Sequence, residues 1–459
     1  MATTRTCLQP ITTLRLGSPV GQLRAAPVQL GPGAPRAVLA TYCADFDVDP
    51  YTEMFFFPTD TLKMVLFTEA GEAIWRRDLG PAVVPGMWFC PVLPFDLDGD
   101  GRDEIWFVNN LDPKHPLGTS SYRLERLDAL TGRTTGQWVW PDSGGSQPLS
   151  HMFRNFIVGG SVRGEPALVT VQGTYDDMFF QAWKPDMTCR WQLAIGRDAP
   201  GARGSHMCPI TDLDQDGVEE LMWGERCIEL DRGTEVFCAD RDCYRGHSDV
   251  VQPIWEEGTG RWLLYTCRES DPEASPRVVL YDDRGARVWG HVDRGHIDMG
   301  WVARLAPGGE RIAAAIRIGN KTCGPDGRFH QDMTEFTFEA LTGKDHPLPF
   351  SIYQTLPVDI NGDGLHELVR GMPGGNGEVL DGAGRVLGSL GGPIALASKI
   401  SSHPGEQVLT YQEEGTVRIW ADREAEDSPP ALARYRHPFY RANQRLSSSG
   451  SNLAVLGGL

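Results

Sequence analysis

The sequence predicts an all-β fold, a single β-propeller of seven or eight four-stranded blades. Three observations predict it. A hairpin with an acidic turn recurs three times without gaps, as FDLDGDGRDEIWF at 95–107, TDLDQDGVEELMW at 211–223 and VDINGDGLHELVR at 358–370. Hairpins of the same length in which Gly or Pro replaces the acidic turn lie between and beyond these copies, among them MFRNFIVGGSVRGEPALVTVQG and DVVQPIWEEGTGRWLLYTCRE. Amphipathic helical periodicity is almost absent.

Each hairpin is followed by a loop and a second strand pair joined by an Asp/Gly turn, as in RVVLYDDRGARVWG and EVLDGAGRVLGSL, which makes four strands per unit. First strands are expected near residues 22, 88, 150, 205, 246, 295, 352 and 394. Spacings of that order are those of propeller blades with insertions, and the first or last unit can merge to close the ring. A disordered or extended N-terminal segment, 1–20, is expected ahead of a propeller domain at 21–459. Trp138, Trp140, Trp183, Trp191, Trp289 and Trp420 fall on expected outer strands and are read as packing between blades.

The chain has 459 residues, 41% hydrophobic and 23% charged, enough apolar material for a large core. A net charge of −18 without a basic block argues against nucleic acid as a partner. No apolar run is long enough for a membrane span or a secretory leader, so a cytoplasmic address is the expectation. The ten cysteines are scattered and expected to be mainly reduced. No CxxC pair occurs, yet Cys208, Cys227, Cys238 and Cys243 lie near His206 and His247, which leaves a structural zinc as a minor option.

The three acidic turns place oxygen ligands at alternate positions: Asp96, Asp98, Asp100 and Glu104; Asp212, Asp214, Asp216 and Glu220; Asp359, Asn361, Asp363 and Glu367. Gly101, Gly217 and Gly364 stand where the loop must bend sharply. Hard oxygen donors in a tight loop suit calcium, in a structural role, and at least two of the turns are expected to hold an ion.

Four consecutive units open with histidine: His151, His206, His247 and His296. First strands of a propeller line the central channel, so these imidazoles are expected to surround one mouth of it. Loops returning to that mouth carry His115, Tyr175, Arg226, Arg268, Lys321 and His330, and Arg154 and Arg203 lie close in sequence to two of the histidines.

The acidic turns resemble those of FG-GAP and related calcium-turn propellers. Over about residues 20 to 445, and most closely in GHSDV at 246–250 and GHIDMG at 295–300, the chain resembles the propeller polysaccharide lyases: rhamnogalacturonan lyases of the family-11 type, ulvan lyases and rhamnose–glucuronate lyases. That resemblance implies β-elimination on a uronate glycan through a His/Tyr/Arg set. His151, His206, Tyr175 and Arg226 are the expected catalytic group. His115, Arg154, Arg203, His247, Arg268, His296, Lys321 and His330 are expected to bind an anionic oligosaccharide or polysaccharide, with no nucleic acid or membrane partner. A metal-assisted variant with an ion on His206, His247 and His296 stays open. A hydrolase lacks an obvious carboxylate pair. The alternative from a different class is a non-catalytic propeller that binds glycan or protein.

Overall fold

The computed structural model describes residues 6–141, 148–306, 308, 310–323, 329–371, 375–450 and 459. Its strands form eight antiparallel sheets, seven of four strands and one of three, arranged as an eight-bladed propeller. Blades 1 to 8 span residues 22–78, 92–139, 155–195, 210–238, 248–291, 296–339, 355–389 and 394–422. Blade 6 is the three-stranded one, and an isolated bridge between Phe338 and Asp345 stands near its outer edge.

The expected N-terminal segment is corrected. Leu8–Arg15 is not separate from the propeller; it pairs antiparallel with Thr416–Asp422 and supplies the fourth strand of blade 8. The TTLR stretch alternates between buried and exposed in the structure, as an outer strand does, but it is too short and polar to declare itself in the sequence.

Inner strands such as Val92–Phe95 and Ile394–Ser398 are buried throughout, whereas the outer strand Thr134–Val139 alternates between exposed and half-buried. The reason is position: an inner strand is covered by blades on both sides and by the channel, while an outer strand meets water. The core therefore lies between blades. One cluster joins blades 2 to 4 through Trp88, Trp106, Phe156 and Trp223, and another joins blades 8 and 1 through Leu23, Phe67 and Leu409.

A repeated device locks neighbouring blades. Trp75, Trp191 and Trp289, all on fourth strands, donate their indole N–H to the carbonyls of Ala129, Leu230 and Ala340 in the next blade, at 2.7, 2.8 and 3.0 Å. Their rings cover Gly132, Gly233 and Gly343, which turn the chain at positive φ. The two roles need different residues: an indole wide enough to bridge blades and a glycine without a Cβ beneath it.

The sequence pattern gave no sign of the helical segment that follows blade 8. Pro429–Arg436 and Pro438–Asn443 are too short for periodicity to show, although Ser428 caps the first and proline opens both. The segment runs along the free edges of inner strands. Asn443 bonds both the N–H and the C=O of Ile210, Ser447 donates to the carbonyl of Ala25, and Ser449 donates to that of Ile157. Inner strands would otherwise leave unpaired backbone groups on the channel.

Among the described residues no helix is long and apolar enough to cross a membrane. All nine described cysteines are free thiols. None joins a histidine or carboxylate in a group of three potential metal ligands, so the suggested zinc cluster of Cys208, Cys227, Cys238 and Cys243 is not assembled.

Candidate active site

Each inner strand runs from one mouth of the channel to the other, and the acidic turns follow their far ends. His151, His206, His247 and His296 stand at the near ends, just ahead of or at the start of Asn155–Val162, Ile210–Thr211, Ser248–Glu256 and His296–Arg304. His151, His206 and His296 line a cavity of about 660 Å³, and the fully buried His247 packs behind them against Tyr175 and His206. Three of the rings surround Tyr175: the centroids of His247, His151 and His206 lie 4.1, 5.5 and 6.4 Å from that of the phenol.

Tyr175 occupies a left-handed backbone conformation, φ 73°, held by its N–H donating to the carbonyl of Arg203 at 2.9 Å. A non-glycine residue pays for such a conformation only where the surroundings fix it, which is a common property of sites that position a reactive group. The Tyr175 hydroxyl lies 3.2 Å from His206 Nε2. Burial pushes the phenol above its ordinary range, keeping it protonated.

Carboxylates, which the sequence reading reserved for the calcium turns, hold every ring. Asp176 Oδ2 is 3.2 Å from His151 Nδ1, and Asp249 Oδ1 is 3.1 Å from His206 Nδ1 and 3.3 Å from His247 Nε2. His247 Nε2 also meets Glu269 Oε2, and His296 Nε2 meets both Asp298 and, at 3.1 Å, Glu269 Oε1. Burial works against a charged His296, but Asp298 and Glu269 raise it to about 10, so it is an imidazolium. Burial lowers His247. The missed signal was local: His247 and Asp249, like His296 and Asp298, are two apart at the start of an inner strand, close enough for each pair to meet.

The arginine of the cavity is Arg154. It is 4% exposed, its guanidinium lies over the rings of Trp88 and Tyr175 at 4.9 and 5.3 Å, and Nη2 donates to Asp49 at 3.2 Å. Its Nε and Nη1 are buried without a hydrogen-bond partner. The structure takes the other expected arginines elsewhere. Arg226 is enclosed with the carbonyls of Ala202 and Pro200 and with Glu235. Arg268 is fully buried, bonded to Glu225, Asp240, Tyr281 and the carbonyl of Pro276. Arg203 donates to the carbonyls of Gly196 and Ala199. None of the three lines the cavity, and the reason is common to all: a guanidinium with several local acceptors is satisfied where it stands. His115 pairs with Asp112 at 2.7 Å on the surface, with 73% of its side chain exposed. The side chains of Lys321 and His330 lie outside the described residues.

Three buried atoms beside the cavity, His247 Nε2, Asp249 Oδ1 and Glu269 Oε2, complete no hydrogen bond although they approach one another. His247 Nδ1 is 2.8 Å from Ser270 Oγ. When that nitrogen carries the proton, Nε2 turns a lone pair toward two carboxylates, an arrangement that a cation relieves. His206, His247 and Asp249 accordingly form a group whose ligand atoms lie within 4.8 Å of one another.

The far ends of the strands repeat one geometry. Asp96, Asp212 and Asp359 accept through Oδ2 from the N–H of Gly101, Gly217 and Gly364, and Glu104, Glu220 and Glu367 accept through Oε2 from Leu97, Leu213 and Ile360. Asp212 Oδ1 and Asp359 Oδ1 are buried and unpartnered. Burial and neighbouring acids push Glu104 up to about 7 and Glu220 to about 8. Crowded oxygens of this kind fit calcium. The third turn differs, because Arg434 reaches in to Asp359 Oδ2 at 3.0 Å and to the Gly364 carbonyl at 2.8 Å.

No family model matches the chain. Two proteins of Bacillus subtilis (strain 168) are similar in sequence. Rhamnogalacturonan exolyase YesX is 22% identical over 327 residues, 60% of this chain and 53% of YesX. Rhamnogalacturonan endolyase YesW is 24% identical over 195 residues, 35% of this chain and 31% of YesW. The chain thus matches about half the length of YesX and about a third of YesW. Among solved structures, the Bacillus licheniformis rhamnogalacturonan lyase PL11 superposes with a TM-score of 0.76 at 17% identity, covering 98% of this chain and 82% of that one. Exotype YesX gives 0.74 at 17% identity, covering 97% and 82%. The structural likeness establishes the fold, and these relatives and neighbours are rhamnogalacturonan lyases, the group that the sequence resembles.

Proposed function

We propose that this chain is a polysaccharide lyase that cleaves a uronate-containing glycan, of the rhamnose–uronate type, by β-elimination in the His/Tyr/Arg cavity. The observation that carries the reading is Arg154 beside Tyr175 and the histidines, a buried guanidinium whose Nε and Nη1 have no hydrogen-bond partner and which can therefore donate to a carboxylate. The rhamnogalacturonan lyase relatives support the reaction class.

Elimination needs the uronate carboxylate neutralised, the proton on carbon 5 removed, the bond from carbon 4 to the glycosidic oxygen broken as the double bond forms, and that oxygen protonated. Arg154 takes the carboxylate. With Nδ1 held by Asp176, His151 accepts the carbon 5 proton at Nε2. Tyr175, kept protonated by burial and positioned by His206, gives its proton to the departing oxygen.

A metal-assisted form of the same reaction is favoured by the unpartnered atoms of His247, Asp249 and Glu269. A divalent cation held by His206, His247 and Asp249 would supply Lewis-acid polarisation of the carboxylate. His206 would then keep its proton at Nε2 and donate it to the Tyr175 oxygen.

Incubation with rhamnogalacturonan, with and without added calcium, tests the proposal by the ultraviolet absorbance of the unsaturated uronate product. Absorbance that rises for the native chain and not for Tyr175→Phe is the expected result. Binding of the polymer with no absorbance change would leave a glycan-binding propeller instead.

A further inference from the structure

The loop between the second and third strands of blade 1, residues 44–62, emerges at the histidine-bearing mouth. Four hydrogen bonds fix its course: Asp45 Oδ2 accepts from the N–H groups of Thr59 and Asp60, Asp47 Oδ1 accepts from Met87 N, and Val48 N donates to the Pro85 carbonyl. Phe55 anchors it inward, 6.2 Å from Phe89, and meets Phe57 edge-on at 5.1 Å. On this pinned loop Phe46, Tyr51, Phe56 and Phe57 are 74, 47, 37 and 70% exposed, and Met54 61%. Phe46, Tyr51, Phe56 and Phe57 are all of the exposed large aromatics among the described residues.

Scattered surface apolar residues need no explanation, but a concentration of every such aromatic in one rigid loop does. Tyr51 and Met54 also line the cavity, so the patch continues the candidate site outward. The same loop bears Asp45, Glu53 and Asp60, an acidic setting unsuited to a carboxylate.

We infer that Phe46, Phe56 and Phe57 form a stacking platform for an uncharged sugar of the glycan chain as it leaves the cavity. The apolar C–H face of a deoxyhexose lies on the rings, while the uronate beside it sits at Arg154. This rests on the proposed lyase reading for the register of the two sugars, though not for the contact itself.

The test compares the native protein with Phe56→Ala/Phe57→Ala, and with Val139→Ala, another exposed apolar change, on the outer strand of blade 2 and outside that loop. Retardation in gels containing rhamnogalacturonan polymer reads binding, and KM and kcat on polymer read turnover. The double variant should bind polymer about tenfold more weakly and raise KM by a similar factor with kcat retained, while Val139→Ala behaves as native. Equal melting temperatures exclude a folding defect. Native-like retardation of the double variant, or no retardation of the native protein, overturns the platform. So does a native dimer that becomes monomeric in the double variant during sedimentation, because the patch would then serve a second copy of the chain. Retardation weakened in the double variant, with no unsaturated product from the native protein, upholds the platform and removes the lyase reading alone.

Discussion

Arg154 and Arg268 show how much the surroundings of a side chain decide its use. Both are almost fully buried, but Arg268 faces Glu225, itself fully buried, at 3.1 Å, while Arg154 keeps two donors unspent. Arg154→Ala should lower kcat/KM by about 10²–10³ with little change in melting temperature, as expected for a group that meets developing charge. Arg268→Met should instead cost about 3–5 kcal/mol in denaturant unfolding, because it strands Glu225 without its partner. An Arg154→Ala variant with native turnover would remove the carboxylate site.

The histidines were legible in the sequence because each stands at or just ahead of the start of an inner strand and the repeat alone brings such positions together. The arginines were not: Arg268 is taken by Glu225 and Asp240 from the neighbouring blade, and Arg203 and Arg226 are taken largely by backbone carbonyls, which no residue type announces. Asp249 and Asp298 were within reach through their two-residue spacing from histidine. They were passed over because acids stood out more in the turns.

At the scale of elements, the acidic turn and the indole-on-glycine lock make separate predictions. Chelator should lower the melting temperature by several degrees and added calcium restore it, since an ion that binds only the folded turn stabilises by linkage; Asp212→Ala should shrink that response. A melting curve indifferent to both reagents would remove calcium from the turns. Gly233→Ala should destabilise by about 1 kcal/mol or more, as the added carbon would lie 2.5 Å from the Trp191 ring at φ 70°. The turns were readable because ligand spacing is a sequence property. The tether of Arg434 on the third turn was not, lying 75 residues away from Asp359.

For the whole molecule, ring closure depends on a strand within the segment 1–20 that was expected to be disordered or extended. A variant lacking residues 1–15 should melt at a markedly lower temperature, or in two steps, since blade 8 would lose its outer strand and the polar edge of Thr416–Asp422 would open. Unchanged unfolding would mean that the other strands close the ring without it.

The same closure sets an order on biosynthesis. Leu8–Arg15 leaves the ribosome first but finds its partner only after Thr416–Asp422 has been made, and Ala25, Ile157 and Ile210 wait longer still for the segment that bonds them. Until then the nascent chain carries open edges at both sides of a growing arc, so the circle closes only once Thr416–Asp422 and the segment after it have left the ribosome. Pulse-labelled chains should therefore gain protease resistance only after residues 416–449 have emerged, and chains truncated before residue 416 should stay sensitive.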